Sequence, residues 1–277
     1  MSVTAAEVNN LRKTTGAGIM DCKNALVEAD GDFEKAIEIL RKKGQKVANK
    51  RSDRDAAEGA VIAKVSADQK NGVILMLNCE TDFVGKNDEF VNFTHSLVDL
   101  AVENNHQNLD ALLASQLNGL AVAERINEMV GKIGEKIEVG AFAAFSAARV
   151  VAYIHPGNRL ASLVGFNISG YPNENEVVKQ IAMQIAAMAP IAVDTGDVSA
   201  EILEKEKEIA MEVARNEGKA EEMLERIATG RVAKFLQEST LMNQTCISDS
   251  KKTVAQYLKE VNADLKVTEF RRVMLSA

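Results

Sequence analysis

The chain has 277 residues with an ordinary 46% apolar content, enough for two domains or one large elaborated one. Its net charge of −7 argues against wholesale phosphate binding. Cys22, Cys79 and Cys246 lie far apart with no C-x-x-C, which indicates neither a zinc site nor a disulfide framework.

The first residues carry no basic-then-apolar signal pattern. The longest apolar run, residues 139–154, is short of a bilayer span and contains Arg149, so it reads as buried strands. A cytoplasmic protein without membrane contact is expected.

Residues 1–43 read as a compact three-helix unit. Thr4 and Glu7 stand at capping-box spacing, which predicts a helix to about Lys13. The Thr-Gly-Ala-Gly of residues 15–18 breaks it. A second helix places Ile19, Cys22, Leu26 and Ala29 on its inner side. Ile19 and Met20 are neighbours and cannot both follow one core line, so one is spare for an apolar contact patch. After Asp-Gly-Asp, a third helix lines up Phe33, Ala36, Ile37 and Leu40. So small a unit has a thin core, and its expected role is to dock on a partner.

Residues 41–54 are the basic segment: Arg41, Lys42, Lys43, Lys46, Lys50, Arg51 and Arg54 against Asp53 alone. One reading is RNA or ribosome contact; the other is a solvated linker that complements an acidic partner. Without interleaved aromatics to stack bases, nucleic acid is the less favoured.

From residue 59 the apolar period changes. Residues 60–65 read as a strand, 68–72 as a hairpin turn and 73–77 as a second strand. Residues 81–84 form a tip. Asp88 then caps a helix with Phe90, Leu97, Leu100 and Ala101 inward. A further helical region, 109–129, is interrupted at Asn118-Gly119, and residues 137–145 read as a strand. The pattern returns: strand 150–154, the turn His155-Pro156-Gly157-Asn158, strand 160–166, loop 170–173 and helix 174–187.

Residues 197–236 differ again. Ser199 opens a Glu- and Lys-rich helix with a narrow stripe of Ile202, Ile209 and Val213. Asn216–Lys219 turns it, and a return helix carries Met223, Ile227 and Phe235. This predicts a projecting antiparallel helical hairpin. A short helix over 253–262 and a strand over 266–275 follow. The expected class is α+β: a helical unit with basic segment (1–53), and two related hairpin-plus-helix halves (54–145 and 146–277), the second interrupted by the helical hairpin 197–236.

Catalytic constellations are hard to assemble. His95, His106 and His155 sit in unrelated contexts, and no G-x-S-x-G, P-loop or H-E-x-x-H occurs. The glycines of residues 14–18 follow no strand, which fails the context test for phosphate binding. Cys79 follows a strand and invites comparison with a nucleophile, but a buried core thiol suits its surroundings better. No cofactor is expected. Phe83 is the open question. A Phe is commonly sealed in its own core. Against that stand its polar flanks, the following Gly85, and Ser169-Gly170-Tyr171-Pro172 where the second copy has its tip. A tip that differs between copies of one scaffold points to use outside the chain. The turn residue His155 is, on pattern alone, simply exposed.

Two stretches resemble signatures of the bacterial elongation factor Ts family: L-R-K-T-T-G-A-G-I-M-D-C-K-N-A-L at residues 11–26, and the highly specific N-C-E-T-D-F-V at residues 78–84. Lys132-Ile133-Gly134-Glu135, Ile181-Ala182-Met183 and Asp197-Val198-Ser199-Ala200 are also similar. The resemblance implies a ubiquitin-associated-like (UBA-like) N-terminal domain, a two-part core and a coiled-coil hairpin. It implies a nucleotide exchange factor without an active site of its own, which releases GDP from the translational GTPase EF-Tu. Its tip, Thr81, Asp82, Phe83 and Val84, would enter the partner and displace Mg²⁺. Leu11, Arg12, Ile19, Met20 and Lys23 would grip the same partner domain, with Ile133 and Gly134 beside them and His155 touching another domain. Two departures from the family pattern are Met76 in place of a Glu, and Gly85 in place of Ala or Ser, which should loosen the tip. The alternative is a docking or RNA-binding module built on the N-terminal helices and basic linker.

Overall fold

The computed structural model describes residues 3–276. The N-terminal unit is α1 (Ala5–Thr15), α2 (Ile19–Glu28) and α3 (Phe33–Arg51). Thr4 and Glu7 form a reciprocal capping box, and Gly16 ends α1 in the left-handed region. Val8, Leu11, Cys22, Ala25, Leu26 and Ala36 make the small core. Two expectations change here. Neither Ile19 nor Met20 turns inward: they are 55% and 61% exposed, because Cys22, Ala25 and Leu26 already define the buried side of α2. Residues 41–51 are no linker either, since they continue α3 without a break.

The next region is β1 (Glu58–Val65), β2 (Asn71–Cys79), α4 (Asp82–Gly85), α5 (Asp88–Glu103), α6 (Leu109–Ala114), β3 (Gln116–Leu117), β4 (Leu120–Ala121), α7 (Val122–Ile133) and β5 (Glu138–Ser146). Asn87, one residue ahead of Asp88, caps α5 by accepting from the Glu89 amide. The strands pair antiparallel in the order β1-β2-β5. The interruption at Asn118-Gly119 is the β3–β4 turn, where both residues take positive φ.

The last region is β6 (Arg149–Ile154), β7 (Leu160–Phe166), α8 (Glu174–Met188), α9 (Ala200–Asn216), α10 (Glu221–Ser239), α11 (Val254–Val261) and β8 (Val267–Met274). Its sheet is β6-β7-β8, again antiparallel. Both regions therefore run hairpin, helix, intervening helices, third strand.

The two sheets pack face to face, with Val61, Ala63, Ile74, Phe145, Val150, Ala161 and Leu163 between them. Alternate residues of the same strands, such as Ile62, Leu75 and Leu77, face the helices on the outer side. With both faces covered, β2 has no reason to alternate, which is why residues 73–77 are continuously apolar. Met76 lines the sheet–sheet interface, which accounts for an apolar residue there.

Helix α3 lies across α7 at very close range. A Cβ on Gly44 would stand 2.8 Å from the Asn127 carbonyl oxygen, and one on Gly131 2.8 Å from the Gly44 Cα. Only glycine permits this backbone contact, and it docks the N-terminal unit on the body. Arg41 to Glu128 (2.9 Å) and Asn127 to Gln45 (2.7 Å) flank the crossing. The α9–α10 hairpin meets the body at its base, where the Leu241 amide donates to the Ala192 carbonyl. Its seam is Ala210, Ala214, Leu224 and Ala228, whereas Ile202, Ile209, Val213 and Met223 are exposed at the rim. Small residues let the helix axes approach, leaving the larger side chains outside the seam. Among the described residues, no helix is long and apolar enough to cross a membrane.

Candidate functional site: the tip after β2

Strand β2 ends at the buried Cys79, and Thr81 enters a single helical turn, α4. Phe83 points away from the protein and is 84% exposed. Its neighbour Val84 turns the other way and packs against the core of the first sheet. The four-residue tip thus divides: Val84 anchors it and Phe83 is displayed. Val84 is only partly buried, so part of its side chain remains at the surface beside Phe83. Gly85 also departs from expectation. It is buried against β1, and a Cβ there would lie 3.0 Å from both the amide nitrogen and the carbonyl oxygen of Gly59. The glycine seats the turn tightly on the strand; it does not loosen it.

The turn is tied by two carboxylates, one from another loop and one of its own. Glu135, in the loop between α7 and β5, accepts from the amides of Glu80 (3.1 Å) and Thr81 (3.0 Å) and from the Thr81 hydroxyl (2.7 Å). Glu80 answers in the opposite direction. It accepts from the Lys136 amide (2.6 Å) and from Arg51 at the end of α3 (2.7 and 2.8 Å). The Lys136 amide and then the Arg51 guanidinium hold the Glu80 carboxyl below its ordinary range. Asp82, bonded to Lys86 (2.6 Å), is lowered by that contact.

Two shallow grooves mark the surface, the second of them at the tip. One is lined by Arg12, Ile19, Met20, Lys132 and Ile133. The other is lined by Glu58, Thr81, Asp82, Phe83, Lys86 and Arg159, with Arg159 paired to Glu58. Arg12, Ile19, Met20 and Lys23 are exposed, Ile133 is partly covered and Gly134 ends α7 in the left-handed region. Leu11 must be corrected: it is fully buried in the three-helix core, so it shapes the unit and touches nothing outside. His155 is exposed on the β6–β7 turn, its Nδ1 3.0 Å from the Tyr153 hydroxyl.

Cys79 is fully buried and its thiol is pushed up to about 12, first by burial and then by the charges of Glu135 and Glu58. Its S–H donates to the Thr81 carbonyl at 3.2 Å, which leaves a structural thiol and no nucleophile. In the basic segment Arg41, Lys42, Lys43 and Arg51 are paired to Glu128, Glu38, Asp21 and Glu80, so much of its charge is spent within the chain. Sequence reasoning missed Arg51, Glu80 and Glu135 as parts of the site. The signals were that Glu80 lies within the N-C-E-T-D-F-V stretch and that Glu135 closes the Lys132–Glu135 motif.

Comparison with known proteins agrees with the earlier resemblance. The profile of the family described as Elongation factor TS matches residues 80–277. The elongation factor Ts of Christiangramia forsetii is 49% identical over 273 residues, covering 99% of this chain and 98% of the relative. That of Flavobacterium psychrophilum is 50% identical over 274 residues, covering 99% of each. That of Chloroherpeton thalassium is 43% identical over 272 residues, covering 96% of this chain and 94% of the relative.

Proposed function

The chain belongs to the elongation factor Ts family of translation factors, and we propose that it is the guanine nucleotide exchange factor of the GTPase EF-Tu. The observation that carries this reading is Phe83, a large apolar ring displayed on a braced turn with its own core sealed behind it. On this reading the turn of Thr81, Asp82, Phe83 and Val84 enters the nucleotide domain, with Phe83 leading, and disturbs the loop that orders the partner's Mg²⁺. Ile19 and Met20, with Arg12 and Lys23 around them, grip the same domain. Ile133 and Gly134 lie at the edge of that grip, and His155 reaches a second domain. The three-helix unit is the UBA-like domain, residues 54–145 and 146–277 are the related halves of the core, and 197–236 is its coiled-coil hairpin.

The energetics require a wide grip. An exchange factor must bind the nucleotide-free partner more tightly than the GDP-bound one, and the antagonism is reciprocal. A 10⁴-fold shift needs about 5.5 kcal/mol of differential binding. Burying one Phe supplies roughly 1.5–3 kcal/mol. The remainder must come from contacts that hold the tip in place, which suits an N-terminal unit rigidly docked through Gly44 and Gly131. Mg²⁺ bridges phosphate oxygens through few protein ligands, so a small displacement of their loop costs GDP much of its affinity.

The test is release of a fluorescent GDP from EF-Tu with and without this chain. Acceleration that saturates with the chain's concentration is expected. An unchanged release rate would overturn the reading.

A further inference from the structure

We infer that Glu135 and Glu80 are positioning residues: a reciprocal carboxylate brace that orients the Phe83 turn before it meets the partner. The inference rests on the exchange reading above and adds to it two residues that need not touch the partner.

One helical turn does not hold itself together in water. Helix α4 has four residues, and the hydroxyl of its N-cap Thr81 makes no capping bond within it. That hydroxyl is donated to Glu135 instead, together with the amides of Glu80 and Thr81. Three donors at the entrance of the turn thus converge on one carboxylate from a loop 54 residues away in sequence. Glu80 makes the return contact to the Lys136 amide, so each of the two loops receives a carboxylate from the other. Arg51 pairs with Glu80 and closes the brace onto α3. The three-helix unit and the tip therefore share one rigid path. The apolar packing beneath the turn, made by Cys79, Val84 and Phe90, is complete without any of these groups. What the brace adds is direction for the exposed ring.

The test is a double-mutant cycle read by stopped-flow release of fluorescent GDP from EF-Tu, using the full chain. Glu135→Ala is expected to lower the maximal release rate about 10- to 100-fold, the scale of a loss of placement at a distance. The half-saturating concentration should move by less than about threefold, because the wide grip is intact. Glu135→Gln, which keeps an acceptor and folds more safely, should recover part of the rate. Amide exchange at Glu80 and Thr81 should quicken in both variants. In a Phe83→Ala background Glu135→Ala should add almost nothing, since the brace acts through the ring. An equal loss in both backgrounds, or one carried entirely by half-saturation, would overturn the brace. So would a slow Phe83→Ala beside a fast Glu135→Ala. A Phe83→Ala chain as active as the original would also overturn the brace, which acts through the ring, whereas an original chain that leaves the release rate unchanged would remove the exchange reading itself.

Discussion

Two corners of this molecule follow the same order of elements and end oppositely. Four residues beyond β2 stands Phe83, almost fully exposed, and five beyond β7 stands Tyr171, only 7% exposed. The difference lies in where the bracing acid comes from. At the second corner Glu174, at the start of the very next helix, accepts from the Gly170 amide at 2.9 Å and pairs with the buried Arg149 at 3.0 Å. A local brace draws the loop in, and Tyr171 joins Phe166, Val177 and Val178 in the core. At the first corner Glu135 pulls from another loop, and the ring is left outside. At these two corners the aromatic is buried where its turn is tied locally and exposed where the tie comes from another loop.

The pair can be broken by truncating each ring in turn. Tyr171→Ala should destabilise the fold by about 3–4 kcal/mol in denaturant titration, the usual cost of removing a buried aromatic. It should leave nucleotide release by the folded protein unchanged. Phe83→Ala should do the reverse. Unfolding should shift by less than about 0.5 kcal/mol, as for an exposed position. The release rate should fall by the roughly 1.5–3 kcal/mol that burial of one Phe supplies, or about 10- to 100-fold. If both variants behave alike in either assay, the two corners are not opposites.

Finer changes sharpen the contrast. Among the described residues the buried Tyr171 hydroxyl has no hydrogen-bond partner, so Tyr171→Phe should stabilise by about 1 kcal/mol, recovering a desolvation cost. Burial, reinforced by the Glu174 charge, pushes that phenol up to about 12. A raised acid stabilises the fold below its unfolded value, near 10, and loses that contribution as pH climbs toward 12. The second corner should therefore loosen in alkali, and Tyr171→Phe should abolish that loss. Glu80 has the opposite sign. Its carboxyl is depressed, so its contribution is present above the ordinary Glu value and fades as pH falls through the lower folded one. The protection of the Lys136 amide, the slowing of its exchange relative to a free amide at the same pH, should fall on acidification below the ordinary Glu range, with the smallest effect of the set.

Much of the scaffold is legible along the chain because its causes are short-range. The capping boxes at Thr4 and Thr253 and the breaker Gly16 act within one turn. The two hairpins show themselves as apolar runs flanking polar turns, and the display of Phe83 follows from its flanks and from the mismatch with the second copy. Other outcomes depend on which surfaces meet. Ile19 stays outside because Cys22, Ala25 and Leu26 complete the inner face of α2. Residues 41–51 stay helical with α7 packed against Gly44. Alanines take the hairpin seam, although Ile209 and Val213 share the spacing. The sequence by itself determined the elements, their order, and the aromatic that interrupts a polar tip, because periodicity and caps reach no further than a few residues. The tertiary structure alone decided that Glu135 would tie Thr81 and that Arg51 would meet Glu80, because a hydrogen bond depends on a distance of about 3 Å in space and leaves no spacing along the chain by which to find it.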